Sequence, residues 1–164
     1  MMRFDGRLVF KHTDGSVELF TPGDDPALES TDEKSFWDGL EAILRKTLTR
    51  LSTAQRVAVL PASVHAGTDR TFRAAWTWTT PAPVIDIDMG KAVEIHKDNL
   101  RALRAPKLAA LDVQFMKAIE AGDTKAQAVI AAQKQALRDV TAHPAIIAAK
   151  TPEQLKSAIP DVLR

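Results

Sequence analysis

A helical hairpin is predicted by the stretch Arg104-Ala-Pro-Lys-Leu-Ala-Ala-Leu-Asp112, the break Ala121-Gly-Asp123 and the stretch Gln133-Lys-Gln-Ala-Leu-Arg-Asp-Val-Thr141. Both long stretches carry apolar residues at helical spacing, and the break between them has room only for a tight turn. Gly122 is expected to end the first helix, and the Asp123 carboxylate is expected to cap the second. The two helices should therefore pack antiparallel to each other.

The first of these helices is long, and a third, short helix is expected near the end of the chain. The apolar stripe of the long helix keeps its phase on both sides of Pro106, so we expect the proline to kink the helix and not to end it. The short helix should begin at Thr151-Pro-Glu-Gln154, where threonine can cap and proline fits the first turn. The stripe of the long helix consists of Met89, Val93, Leu100, Leu103, Leu111 and Phe115. The second helix has the apolar face Ala126, Val129, Ile130, Gln133, Leu137 and Val140, and the short helix buries Leu155 and Ile159.

The first half of the chain is predicted to form a small antiparallel sheet with one helix. The side chains over residues 7–12 and 16–20 follow the two-residue period of a strand, so each segment is expected to be one. Asp14-Gly15 between them suits a tight hairpin. Ser30 and Glu33 have the spacing of a capping box, so a helix is expected to begin there. The apolar face of this helix consists of Phe36, Leu40, Ile43, Leu44, Thr47, Leu48 and Leu51, and a further strand is expected at Arg56–Leu60.

Two more strands are expected, at Thr71–Thr79 and at Val84–Asp88. The segment Thr80-Pro-Ala-Pro83 between them should be stiff and extended, because each proline also restricts the residue before it. It is the best candidate for a domain boundary. We therefore predict an α+β fold in which a small α+β domain over 1–80 precedes a helical hairpin domain, with its short last helix, over 81–164.

Composition excludes several classes of function. The 164 residues include no cysteine, so thiolate nucleophiles, disulfides and cysteine-bound zinc are excluded. A net charge of +1 gives no field that would steer the chain to nucleic acid or to an anionic membrane. The first residues lack the apolar core of a signal peptide, and no apolar stretch reaches the length of a membrane span. A soluble protein outside the general export route is expected.

No constellation of residues predicts catalysis, a metal or a cofactor. The four histidines are dispersed, and Glu94 and His96 point to different faces of a helix, so they cannot share a metal ion. Asp86 and Asp88 share a strand face and could bind a divalent cation, although an exposed face that ends in a helix cap explains them equally well. The seven glycines form no phosphate-binding loop. We therefore expect a protein that is not an enzyme.

Three groups of side chains are candidates for binding a partner. The first group, Lys97, Arg101 and Arg104, forms a basic stripe on the long helix. This stripe is either a docking face for an acidic partner or nucleic acid, or a solvated face whose charges pair with Glu94 and Asp98.

The other two groups are apolar. Trp76 and Trp78 share one face of a strand, where they serve either the core or a partner interface. Leu108 and Ile119 extend the apolar stripe of the long helix beyond what one facing helix can cover. Either a partner or the first half of the chain should shield them.

The two helical stretches resemble the C-terminal helical region of small tailed-phage and prophage proteins of the tail-fibre-assembly or tail-assembly-chaperone type. Two upstream segments are also similar to proteins encoded near phage tail genes, so the resemblance covers roughly residues 70–159. These segments are Arg70-Thr-Phe-Arg-Ala-Ala-Trp-Thr-Trp78 and Ile87-Asp-Met-Gly-Lys-Ala-Val-Glu-Ile-His-Lys-Asp98.

The resemblance implies a non-catalytic virion protein at the tip or fibre region of the phage tail, which acts through protein–protein assembly and is present in the host cytoplasm while particles assemble. Its partners would be tail or tail-fibre proteins, or further copies of the chain, with neither nucleic acid nor membrane expected. One alternative is a tail-fibre assembly chaperone that is absent from the mature particle. Another is a small phage lysis enzyme, against which the lack of a catalytic constellation counts.

Overall fold

The chain forms two compact units, Met1–Asp88 and Met89–Arg164. The fold is α+β, as the sequence predicts, because a small antiparallel sheet with a helix is followed by a long helical region. The predicted boundary segment Thr80–Pro83 lies outside the residues that the structure describes. The computed structural model describes residues 4–23, 30, 32–61, 70–79 and 84–164.

The first unit is built on a three-stranded antiparallel sheet in the order β2-β1-β3. β1 (Arg7–Lys11) and β2 (Val17–Phe20) form the predicted hairpin, and Gly15 in its turn has a positive φ of 82°. β3 (Gln55–Leu60) pairs with the other edge of β1. β1 is therefore the central strand of this sheet.

A second, two-stranded sheet pairs β4 (Trp76–Thr79) with β5 (Val84–Ile87). The sequence predicts a longer β4, but the residues before it, Arg73–Ala75, form a 3-10 turn. This turn lets Phe72 and Ala75 both be buried, whereas residues three apart on a straight strand point to opposite faces. Because β5 pairs with β4, it belongs to the first unit and not to the helical half.

α1 (Glu33–Thr47) begins directly after Asp32, whose carboxylate accepts a 2.8 Å hydrogen bond from the Ser35 backbone N–H. The prediction that Ser30 caps this helix is therefore wrong. Asp32 immediately precedes the first helical residue, and from that position a side-chain oxygen reaches the N–H groups of the first turn. The same hydrogen bond from Ser35 lowers the pKa of Asp32 below its ordinary value.

Both faces of β1 are buried. Leu8 and Phe10 pack in a cluster with Phe36 of α1, whereas Val9 packs on the other side with Trp76. The three consecutive side chains of β1 are each 0% exposed. A central strand that is covered on both faces accounts for this uninterrupted apolar run.

The second unit is organised around α2 (Met89–Glu120), a continuous helix of 32 residues that contains Pro106. The prediction that the proline lies within one helix is confirmed. α3 (Thr124–Arg138) follows a turn in which Gly122 has a positive φ of 68°, and the Asp123 carboxylate caps its first turn. The two helices pack along each other as the predicted hairpin.

The packing face of α3 differs in part from the predicted one. Ile130 and Leu137 are buried as expected, but Val129 is 58% exposed and Gln133 is also exposed. Lys134 is half-buried instead. A long lysine side chain can cover apolar surface with its methylene groups while its charge finds a partner, so it can replace an apolar residue at a helix seam.

The C-terminal segment packs on α2 as short helical pieces. α4 (Pro144–Ala148) and α5 (Pro152–Ser157) both begin with proline, and the Thr151 hydroxyl caps α5 as predicted. Leu155 of α5 is 0% exposed, and the helix packs against α2. Single 3-10 turns are formed by Thr49–Leu51, Arg73–Ala75, Asp139–Ala142 and Asp161–Leu163.

Pro106→Ala is expected to keep the fold and to stabilise the second unit by about 1–3 kcal/mol, because alanine restores an N–H that can bond the Ala102 carbonyl. Pro106 is exposed, so the substitution removes no core packing. Thermal unfolding followed by far-UV circular dichroism measures the effect. A loss of helical signal and of cooperative unfolding would show that the proline forms a necessary turn.

Candidate functional site

The two helical stretches that carry the resemblance hold each other across the hairpin. Lys134 of α3 pairs with Asp112 of α2 at 2.5 Å between Nζ and Oδ1, and the same ammonium lies 5.0 Å from the centroid of the Phe115 ring. Arg104 donates from Nη1 to the Arg138 carbonyl oxygen at 2.9 Å, where the last carbonyls of α3 lack helical partners. These side chains stabilise the hairpin itself.

The predicted basic stripe is largely neutralised by its neighbours on the same helix. Lys97 Nζ lies 2.8 Å from Glu94 Oε1, and Arg101 forms an ion pair with Asp98, each at a spacing of three residues. Arg104 is engaged with the end of α3. The structure therefore matches the alternative of a solvated face with paired charges better than a free cationic docking surface.

The apolar candidates differ in their exposure. Ile119 is 46% exposed, whereas Leu108 is half-buried within the second unit. Trp76 is 3% exposed and Trp78 is half-buried, and both pack in the cluster that contains Val9. Of these residues, Ile119 is open surface and Trp76 is a core residue that a partner could not touch without rearrangement.

An exposed apolar face runs along the side of α2, and the sequence reasoning missed it. Its side chains recur at the helical spacing of three or four residues and span about 20 Å at 1.5 Å per residue. The spacing of these residues is visible in the sequence. It was overlooked because alanine and proline side chains are small and do not stand out beside the leucine stripe of the same helix. This outer face of α2 consists of Ala102, Ala105, Pro106, Ala109, Val113 and Met116, all of them exposed.

A buried histidine is the second feature that sequence reasoning missed. His96 is 5% exposed, and its Nε2 lies 3.1 Å from the Ala158 carbonyl oxygen at the end of α5. Ala92 and Leu100, four residues to either side of it, are also buried, so the spacing could have placed the histidine on the packing face. The imidazole links α2 to the C-terminal segment.

Among the residues that the structure describes, no three histidine, aspartate or glutamate side chains stand close enough to hold a metal ion. The Asp86 carboxylate accepts a 2.8 Å hydrogen bond from the Ile87 backbone N–H. No helix in the described part of the chain combines the length and the apolarity needed to cross a membrane. Comparisons of the chain with protein-family models, with curated proteins and with solved structures found no match.

Proposed function

We propose that this chain is a non-catalytic virion protein of a tailed phage, that it is associated with the tail, and that it acts through protein–protein assembly. The observation that carries the proposal is the outer face of α2, which leaves Val113 and Met116 57% and 56% exposed. Contiguous exposed apolar surface on a protein commonly marks an interaction site.

The shape of the outer face favours a helical partner. Ala102, Ala105 and Ala109 bear only methyl groups, so another helix can approach the α2 backbone closely between them. Val113 and Met116 then supply larger apolar side chains at the C-terminal end of the face. A helix laid along the face would bury its own apolar stripe, as in helix-in-groove recognition.

The phage context is supported by the resemblance of the helical stretches to tail-assembly proteins. In this chain, the residues that carry the resemblance include Arg104 and Asp112, whose contacts with α3 hold the hairpin together. A hairpin fixed in this way presents the outer face on a rigid helix, which lowers the entropic cost of docking a partner. We therefore assign the partner as a tail protein that contributes a helix.

Val113→Glu combined with Met116→Glu is expected to weaken binding of the full chain to tail proteins about a hundredfold, because two carboxylates would be buried without partners. Val129→Glu is the matched control, since Val129 of α3 is 58% exposed and lies outside the outer face. Co-purification with tail proteins from phage particles, followed by quantitative binding, gives the measurement. Equal binding of the double variant and the control would overturn the assignment.

Two further measurements separate the alternatives. Mass spectrometry of purified particles should detect the chain, whereas a tail-fibre assembly chaperone would occur only in infected cells. Light scattering should give a monomer. An oligomer that the double variant dissociates while its circular dichroism is unchanged would identify a second copy as the occupant of the outer face instead.

A further inference from the structure

A pocket of about 200 Å³ lies in the first unit, between β2 and the residues that lead into β4. The charged and polar side chains in its wall are Glu18, Arg50, Arg70, Arg73 and Trp76. It is a concave, strongly cationic site that the assembly function proposed above does not use.

The charged side chains that the structure describes around the pocket do not balance. Arg50 Nε donates to both carboxylate oxygens of Glu18, at 2.9 Å and 3.1 Å, and these hydrogen bonds raise the pKa of Arg50. Neither Arg70 nor Arg73 forms an ion pair with any residue that the structure describes. Among the described residues, the Glu18 carboxylate thus neutralises one of three guanidinium groups, and two positive charges remain beside the pocket.

Trp76 adds a hydrogen-bond donor that lacks a partner. The residue is 3% exposed, and its indole Nε1 has no acceptor among the described residues. A buried N–H without an acceptor destabilises the fold, and such groups are therefore nearly always satisfied. Trp76 lines the pocket, so a ligand oxygen would satisfy this N–H if the indole rearranged to meet it on binding.

We propose that the pocket binds a phosphate group, either as the free anion or as a phosphate monoester of a small molecule. A phosphate monoester carries close to two negative charges at neutral pH, which matches the excess charge of Arg70 and Arg73. Its several oxygens can accept from both guanidinium groups at once and leave one for the Trp76 indole, whereas a carboxylate has one charge and two oxygens.

The size of the pocket limits what the phosphate can be attached to. A volume of about 200 Å³ is smaller than the range of about 300–1,000 Å³ that holds drug-sized ligands. The pocket therefore encloses the phosphate and a few further atoms, and a nucleotide would have to project its base and sugar into solvent.

The test is a titration of the full chain with inorganic phosphate, followed by NMR through the indole N–H resonances of its three tryptophans. Trp76→Phe identifies the Trp76 resonance by its absence. We expect a saturable shift of that resonance. The Trp37 resonance should not move, because its Nε1 already donates to Glu33 at 3.2 Å.

The variants decide whether the pocket is responsible. Arg70→Gln combined with Arg73→Gln is expected to weaken phosphate binding by at least about tenfold, since each charge-assisted contact contributes on that scale. Both arginines are exposed, so the fold should survive. Arg101→Gln removes one of the same charges in the second unit and should leave binding unchanged.

Three outcomes would overturn the proposal. The first is a Trp76 resonance that does not respond to phosphate, and the second is an Arg101→Gln variant that loses as much affinity as the pocket variant. The third is acetate that binds as tightly as phosphate at equal ionic strength.

Titration with glycerol phosphate separates the two sources of the phosphate group. Binding of both compounds supports an esterified ligand, and binding of inorganic phosphate alone supports the free anion.

Discussion

Phe10→Ala is expected to lower the free energy of unfolding of the first unit by about 3–5 kcal/mol, because the ring is fully buried and its removal leaves a cavity that the surroundings fill only partly. Phe10 is 0% exposed at the centre of the cluster between β1 and α1. It meets the Phe20 ring edge to face at a centroid distance of 5.7 Å, and the Arg45 guanidinium lies 5.2 Å from its centroid. The substitution removes these aromatic contacts as well.

Tryptophan fluorescence during denaturant unfolding measures this loss, since Trp37, Trp76 and Trp78 all belong to the first unit. Phe10→Leu is the control and should lose much less, because it keeps most of the buried volume. A fluorescence midpoint that stays within experimental error in Phe10→Ala would contradict the assignment of this cluster as the core of the unit.

Leu155→Ala is expected to destabilise the second unit by about 2–5 kcal/mol, because α5 has few other buried side chains with which to attach to α2. Leu155 is 0% exposed, although it stands in a helix of only 6 residues. Such a short helix is unstable by itself in water, so its packing on α2 must stabilise it. Loss of this contact should also release the Ala158 carbonyl from His96.

Far-UV circular dichroism is the appropriate measurement, because the long helices belong to the second unit. Leu103→Ala provides a matched control on α2, where the leucine is 52% exposed, and it should change stability by no more than about 0.5 kcal/mol. Equal effects of the two substitutions would mean that α5 does not depend on its packing on α2.

The elements that could be predicted are those with a local cause. Asp14-Gly15 predicts a hairpin because it separates two segments with the two-residue period of a strand. Gly122 ends one helix, and Asp123 caps the next. The continuity of α2 through Pro106 followed from the phase of its leucines. Each of these predictions needed only residues of a single element or of the turn next to it.

The elements that could not be predicted depend on partners distant in sequence. Periodicity favoured Val129 on the packing face of α3, but Asp112 and Phe115 of the neighbouring helix attract Lys134 to the seam instead. The pattern before β4 likewise suggested a strand, whereas burial of Phe72 and Ala75 imposes a 3-10 turn. Tertiary contacts overrode local preference in both cases.

The same limit applies to the candidate sites. Lys97, Arg101 and Arg104 were predicted as a basic docking stripe, yet the basic side chains that line one pocket together without a described ion pair are Arg70 and Arg73. A sequence shows which residues are basic, but only the fold shows which of them share a cavity. The outer face of α2 was missed for a related reason, since exposure of alanine and proline follows from where the neighbouring elements pack.

The position of β1 in its sheet has a consequence for the order of folding events. β1 completes its pairing only with β3, where Arg7 lies opposite Leu60, whereas α2 and α3 meet across a tight turn. Contacts between distant residues form slowly, and local helical contacts form fast. During synthesis, β1 is made before β3, so its apolar side chains stay without this partner strand until β3 has followed. We expect the nascent chain to be more prone to aggregation in that interval, while the second unit is still incomplete.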